Sequence, residues 1–279
     1  MSVNPAGSSL YRHYAIWRRA VRVACLTALL LAAASAARTA SAQAVDRPPP
    51  DATPSEILDY VDRLMRGESS TGDVTMEVLT ENWSRSMRMT VSSLGTDYAL
   101  VRILEPRKDA GTATLKSGNE IWNYLPKVDR TIKIPASLMS ASWMGSHFTN
   151  DDLVKESRLI EDYDISIEFD GARTGVDVWE FVLVPRPEAP VVWGSIRYQV
   201  RKDDLMPVWA RYYDEDDTLM RTLTFGEYRE FGDRLVPAVM RMVPEDDPGE
   251  YTEVRYEDLI FDVDLSPDYF SLRQLRARD

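Results

Sequence analysis

Cysteine is all but missing from this chain of 279 residues: Cys25 stands alone, close to the N-terminus. A single thiol excludes an internal disulfide framework, so a packed core has to hold the fold. Histidine is nearly as scarce, with only His13 and His147. The usual His/Cys zinc sets are therefore out of reach, and no metal site is expected. The 13 glycines fall singly and form neither a phosphate-cradling loop nor a dinucleotide fingerprint, so no nucleotide cofactor is expected. The apolar run from Val23 to Ala34 has about a dozen residues, short of the roughly 20 that cross a bilayer as a helix.

What stands around that short run is ordered. Arg12, Arg18, Arg19 and Arg22 precede it, and small residues ending in Ala42-Gln43-Ala44 follow it. Positive, apolar and A-x-A segments in that order predict a secretory signal peptide, residues 1–44, cleaved after Ala44, and a periplasmic protein. Arg18-Arg19 raises twin-arginine export, but nothing after the pair supports it, and general secretion fits better. Cys25 lies ahead of the apolar run rather than at its end, the wrong place for a lipid-modified cysteine, and leaves with the signal. Cleavage removes five arginines and no acid, leaving 28 basic against 45 acidic side chains, a net charge of −17. Nucleic acid and anionic membrane surfaces are disfavoured partners for such a chain.

The remaining 235 residues suit one large β domain. Val45 to Ala52, with Pro48-Pro49-Pro50, reads as an extended linker. Thr53-Pro54-Ser55-Glu56 is a capping box with proline at the first helical position, and Gly67 supplies the stop. From Asp73 the apolar period changes to two: Trp83, Met87, Met89 and Val91 alternate with Ser84, Ser86, Arg88 and Thr90. Similar runs recur to about residue 261, separated by turn signals such as Ser117-Gly118-Asn119, Asp170-Gly171, Asp214 to Asp217, Gly232-Asp233 and Pro248-Gly249. This predicts a meandering antiparallel sheet of ten or more strands, which has to curl and to be covered on its inner face. The stretch 136–163 breaks the pattern and is expected to lie across the sheet, with a helix starting near Phe148 to Leu153. Leu265 to Phe270 is expected to end the 53–279 domain as a helical turn anchored by aromatics.

No arrangement of residues singles out catalysis. His147 beside Ser146 lacks the strand-to-helix elbow of a nucleophile, and paired carboxylates such as Asp151-Asp152 are explained by the first turn of a helix. The abundant methionines and tryptophans stand out instead. Methionine adapts its shape, so a cavity lined with it accepts chains of varying length; the same residues would also fill an ordinary core, the reading that composition alone favours. Trp83, Arg85, Met87, Met89, Trp122 and Tyr124 are candidate cavity-wall residues. Met139, Trp143, Met144 and Phe148 in the interrupting stretch are candidate lid residues. Arg85 shares a face with Met87 and Met89, so it has to meet an internal acid, a polar ligand head or water at a rim. Trp122 and Tyr124 alternate with Ile121 and Leu125, and the pattern does not say which pair faces the interior.

The stretch Gly111-Thr112-Ala113-Thr114-Leu115-Lys116-Ser117-Gly118-Asn119-Glu120-Ile121-Trp122-Asn123-Tyr124-Leu125-Pro126, followed by Arg130, Lys133-Ile134-Pro135 and the run from Ser142-Trp143-Met144-Gly145-Ser146-His147 to Leu153, resembles the outer-membrane lipoprotein-sorting protein family, the LolA-like group. His147 departs from the pattern, which has an acid there. The resemblance implies a mainly β fold, an incomplete, half-open β-barrel whose concave face is covered by helices. It also implies a periplasmic carrier, not an enzyme, for lipid or lipoprotein acyl chains, working beside an inner-membrane transporter of the ABC or RND/MMPL type. A ligand-sensing adaptor that regulates such a transporter is the alternative. A hydrolase acting through Asp151, Asp152 and Glu120 ranks behind both.

Overall fold

The computed structural model describes residues 47–155, 159–189 and 191–277; the expected signal peptide lies outside them. The described chain opens with helix α1 (Pro54–Arg66), started by the expected capping box: Glu56 N–H donates to Thr53 Oγ1 at 3.3 Å, and Thr53 N–H to Glu56 Oε2 at 2.7 Å. That reciprocal pair satisfies two donors a helix start otherwise leaves open. Gly67 ends the helix at φ 68°, where its missing Cβ avoids strain.

Thirteen strands follow: β1 (Ser69–Leu79), β2 (Ser84–Leu94), β3 (Tyr98–Glu105), β4 (Ala113–Ser117), β5 (Glu120–Leu125) and β6 (Arg130–Lys133) before the interruption. After it come β7 (Tyr163–Arg173), β8 (Val176–Pro185), β9 (Ser195–Arg201), β10 (Pro207–Tyr213), β11 (Leu219–Phe231), β12 (Arg234–Pro244) and β13 (Tyr251–Phe261). They form one antiparallel sheet in the order β6-β5-β4-β3-β2-β1-β13-β12-β11-β10-β9-β8-β7, so two meanders join where β1 pairs with β13. The edges β6 and β7 do not pair with each other, and the barrel stays open.

One expected turn is displaced. Asp170-Gly171 lies inside β7, Gly171 opposite Val178, and the hairpin reverses at Thr174-Gly175. Both of those residues have positive φ, 50° and 86°, which matches the right-handed twist of the flanking strands.

Register aligns the apolar positions into a continuous band on one face. Val78, Met76 and Val74 meet Arg85, Met87 and Met89 on β2; beyond β13, Met242 and Met240 meet Leu223 and Phe225, and Tyr212 and Ala210 meet Ile196 and Tyr198. This face is concave, because residues of β4 and β9 line one cavity although eight strand spacings separate them in sheet order. Flat, that separation would be about 38 Å at the usual strand spacing. The opposite face is covered beside β3, β4 and β5 by the C-terminal segment: a 3-10 turn (Pro267–Tyr269) and a short helix (Leu272–Leu275) pack Phe270 and Leu275 against Leu100, Leu115 and Tyr124. The turn was expected from the sequence; the helix after it was not. Arg102, on that outer face, donates to the carbonyls of Gln274 and Leu275 and so satisfies the end of that helix.

The interruption carries the chain from one free edge of the sheet to the other. It contains a 3-10 turn (Ala136–Leu138), α2 (Asn150–Lys155) and α3 (Leu159–Asp162). Thr149 caps α2: Asp152 N–H donates to Thr149 Oγ1 at 3.2 Å, and Thr149 N–H to Asp152 Oδ2 at 2.6 Å.

Candidate functional site

A cavity of about 310 Å³ lies between the concave face, α1 and the interruption. That is the lower end of the range for small-molecule sites. Leu58, Val61 and Met65, at helical spacing on α1, form one wall. Val91 of β2, Tyr256 and Leu259 of β13, Met240 of β12, Phe225 of β11, and Ile196 and Tyr198 of β9 form the facing wall. Leu153 of α2 and Leu159 and Ile160 of α3 close one side.

The cavity is polar at both ends. At one, Arg66 Nε and Nη2 donate to Asp62 Oδ2 at 3.1 and 2.7 Å, and buried Lys116 donates to the Thr96 carbonyl at 2.5 Å. Burial pushes the Asp62 carboxyl above its ordinary range, against the opposing pull of Arg66 and Lys116. Ser70 and Ser93 share a hydrogen bond of 2.8 Å beside them. At the other, Asp152 accepts two bonds from buried Arg221, at 2.5 and 2.8 Å, while the guanidinium lies 4.3 Å from the ring centre of Trp193 and 4.4 Å from that of Tyr212. Tyr163 sits below this pair; burial, with Asp151, Asp162 and Asp152 around it, holds its phenol protonated well above the usual range.

The residues expected from the sequence to form the wall and lid lie elsewhere, and none of the ten lines this cavity. Met87 and Met89 are on the concave face, but they are sealed in a core cluster with Val74, Met76, Val78, Val101, Ile103 and Trp143. Arg85 does meet an internal acid, Asp109, at 2.9 Å, and it also donates to the Met144 carbonyl at 3.2 Å. Trp122 and Tyr124 turn to the outer face under Phe270, and Ile121 takes the concave side. Trp83 is 43% exposed, its ring beside Gly145.

Trp143 is buried and donates from Nε1 to Thr114 Oγ1 at 3.1 Å, with Met144 packed beside it on the same cluster. Met139 accepts from Asp151 N–H at 2.8 Å, and Phe148 accepts from Trp143 N–H at 2.7 Å. His147 bonds Thr252 Oγ1 through Nδ1 at 2.8 Å and Glu250 through Nε2 at 3.1 Å. The segment 139–150 is thereby tied down at many points.

The three carboxylates considered for hydrolysis do not converge. Glu120 pairs with Lys133 at the exposed β5–β6 edge, Asp152 is held by Arg221, and Asp151 is buried in the first turn of α2.

Sequence reasoning missed the cavity residues for two reasons: on β5 the interior parity was open, and on β2 the apolar face was the right one but Met87 and Met89 are sealed in the core while Val91 reaches the cavity. Lys116 carried a usable signal: it alternates with Leu115 and shares its face with Thr114, so one of the two faces had to hold a charge.

No curated protein matches the chain. Residues 95–277, more than half of it, match a family model described only as an uncharacterized "-like" protein. Among solved structures, an outer membrane lipoprotein-sorting protein domain from Vibrio parahaemolyticus is 26% identical, with a TM-score of 0.71 over 80% of this chain and 98% of that one. A DUF1329 family protein from Desulfovibrio piger is 22% identical with a TM-score of 0.73, over 80% of this chain and 100% of that one. A LolA superfamily protein from Nitrosomonas europaea is 20% identical with a TM-score of 0.68, over 80% and 99%. The half-open antiparallel sheet is thus similar in fold to the lipoprotein-sorting and LolA superfamily structures, and the chain belongs to the family whose model spans residues 95–277.

Proposed function

We propose that the chain is an exported periplasmic carrier that holds an acyl chain of a lipid or lipoprotein in the cavity under α1 and hands it between components of the envelope. The observation that carries this reading is the cavity itself: a walled, largely apolar hollow between a curled sheet and its covering helices, with polar groups confined to its ends. Each methylene taken out of water contributes about 0.8 kcal/mol, so about ten of them supply about 8 kcal/mol before the costs of association. That limits affinity to micromolar or weaker, which suits a carrier that has to release its cargo. An inner-membrane transporter of the ABC or RND/MMPL type is our candidate partner for loading or delivery. The carrier performs no covalent chemistry.

The test is displacement of a fluorescent fatty acid from the purified 45–279 chain. Native protein binds the probe at micromolar concentration and releases it to unlabelled fatty acid. Val91→Trp, which fills the cavity from β2, weakens binding at least about ten-fold. Absence of binding to the native protein, or unchanged binding to the variant, contradicts the proposal.

A further inference from the structure

The free edge at β6 belongs to a corner whose charge runs against the rest of the chain. Antiparallel pairing brings the β3–β4 loop and the β5–β6 turn to the same end of the sheet, where Gly111 of the loop packs on Pro126 of the turn. Four exposed cations stand there: Arg107 and Lys108 on the loop, Lys127 on the turn and Arg130 at the start of β6. The acids of the loop are taken up, Glu105 by Arg88 at 2.8 Å and Asp109 by Arg85 at 2.9 Å. Asp129, which accepts from the Tyr124 hydroxyl at 2.9 Å, is the remaining carboxylate of the two connections. Among the described residues none of the four cations makes an ion pair, in a chain whose overall charge is −12.

Aliphatic side chains are interleaved with these charges. Val128, at the turn, is 59% exposed, and Leu125 and Ile132 are exposed on the strands beside it. Register puts Leu125 opposite Arg130, with Ile132 next along the same face of β6. A short, charged edge strand is a common defence against pairing with another sheet, and that accounts for Arg130. It does not account for three exposed aliphatics, which make an edge more adhesive, nor for Arg107 and Lys108 on a loop two strands inside the edge. Cations drawn to anionic lipid and apolar groups that enter the headgroup layer reinforce each other, and this corner supplies both.

We infer that the β3–β4 loop and the β5–β6 hairpin form a docking edge for an anionic phospholipid surface, with the four cations against lipid phosphates and Leu125, Val128 and Ile132 among the headgroups. The turn, exposed at Lys127, Val128 and Asp129, presents a projecting tip rather than a groove for a peptide. The other half of the same end is acidic, with Asp214 to Asp217 between β10 and β11 and Glu245, Asp246, Asp247 and Glu250 between β12 and β13. An anionic surface repels that half, so contact is confined to the β6 side and the approach has one orientation. The chain's net charge disfavours such a surface as a whole, and the segregation of charge makes this corner the exception. The docking edge is a different surface from the cavity and goes beyond the carrier reading, whose own test it leaves untouched.

Flotation of the 45–279 chain with vesicles tests the inference. The chain binds vesicles of phosphatidylglycerol and phosphatidylcholine in equal parts at least about ten-fold more tightly than vesicles of phosphatidylcholine alone, and raising salt from about 0.05 to about 0.5 M removes most of the difference. Lys127→Glu combined with Arg130→Glu abolishes the preference, and Val128→Ser weakens binding to the anionic vesicles at least about three-fold. Both variants change exposed side chains and keep the native midpoint in urea denaturation, which separates lost docking from lost folding. Equal binding to the two kinds of vesicle overturns the docking edge, as does a preference undiminished in the double variant or binding unchanged in Val128→Ser. Sedimentation at low salt without vesicles gives a further check: the chain stays monomeric. A dimer that the double variant abolishes would assign the basic corner to the acidic turns of a second copy and overturn the membrane contact.

Discussion

Trp143 shows how one side chain ties the interruption to the sheet. Its indole fills the cluster between β1, β2 and β3, and its N–H reaches Thr114 across on β4. Truncation leaves a large void and takes one hydrogen bond from the Thr114 hydroxyl, which keeps its bond to Asn123 Oδ1 at 2.7 Å, and Trp→Ala changes of this kind cost about 3–5 kcal/mol. We expect Trp143→Ala to lose that much in urea denaturation, a large share of ordinary domain stability; a loss below about 1 kcal/mol would show that the indole is a loosely seated flap. The sequence pointed to this residue but not to its job. An aromatic in a segment that crosses an apolar face reads equally as a gate or as a plug, and only the partner on β4 decides between them. Arg85 was ambiguous for the same reason: its need for a partner was legible, and Asp109, 24 positions away, was not.

Elements whose signals are local were legible. The capping box of α1, the alternation of the strands and the start of α2 all follow from spacing and cap chemistry within a few residues. The parity of β5 was not, because both of its faces carry apolar residues, Ile121 on one and Trp122 and Tyr124 on the other. Trp122 and Tyr124 fell on the outer side, since the C-terminal segment offers that face a second apolar cover. The helix α2 is only six residues long and depends on its contacts rather than on its own propensity. Its principal hold is the bidentate pair from Asp152 to Arg221, with side chains only 12% and 6% exposed. Removing one partner of such a pair leaves a buried charge and costs about 3–5 kcal/mol. Asp152→Asn is expected to lower stability within that range and to speed amide hydrogen exchange selectively over residues 147–155; unchanged exchange there would mean that the helix is held by something other than the ion pair.

At the scale of the molecule, the open sheet follows from two meanders that meet at β1 and β13 and leave β6 and β7 unpaired. The open, curled sheet with helices laid across it keeps a hollow whose walls come from both. The curl and the cover were legible from strand number alone, whereas the position of the hollow was not. Val91 stays at the cavity while Met89, two residues earlier on the same face, is sealed into the core by Trp143. The central proposal is that this hollow holds a lipid chain. Native mass spectrometry of the protein released gently from the periplasm tests it most directly. The account predicts a species heavier than the bare chain by the mass of one lipid, lost in Val91→Trp; a protein that carries only its own mass, in native and variant forms alike, would contradict it.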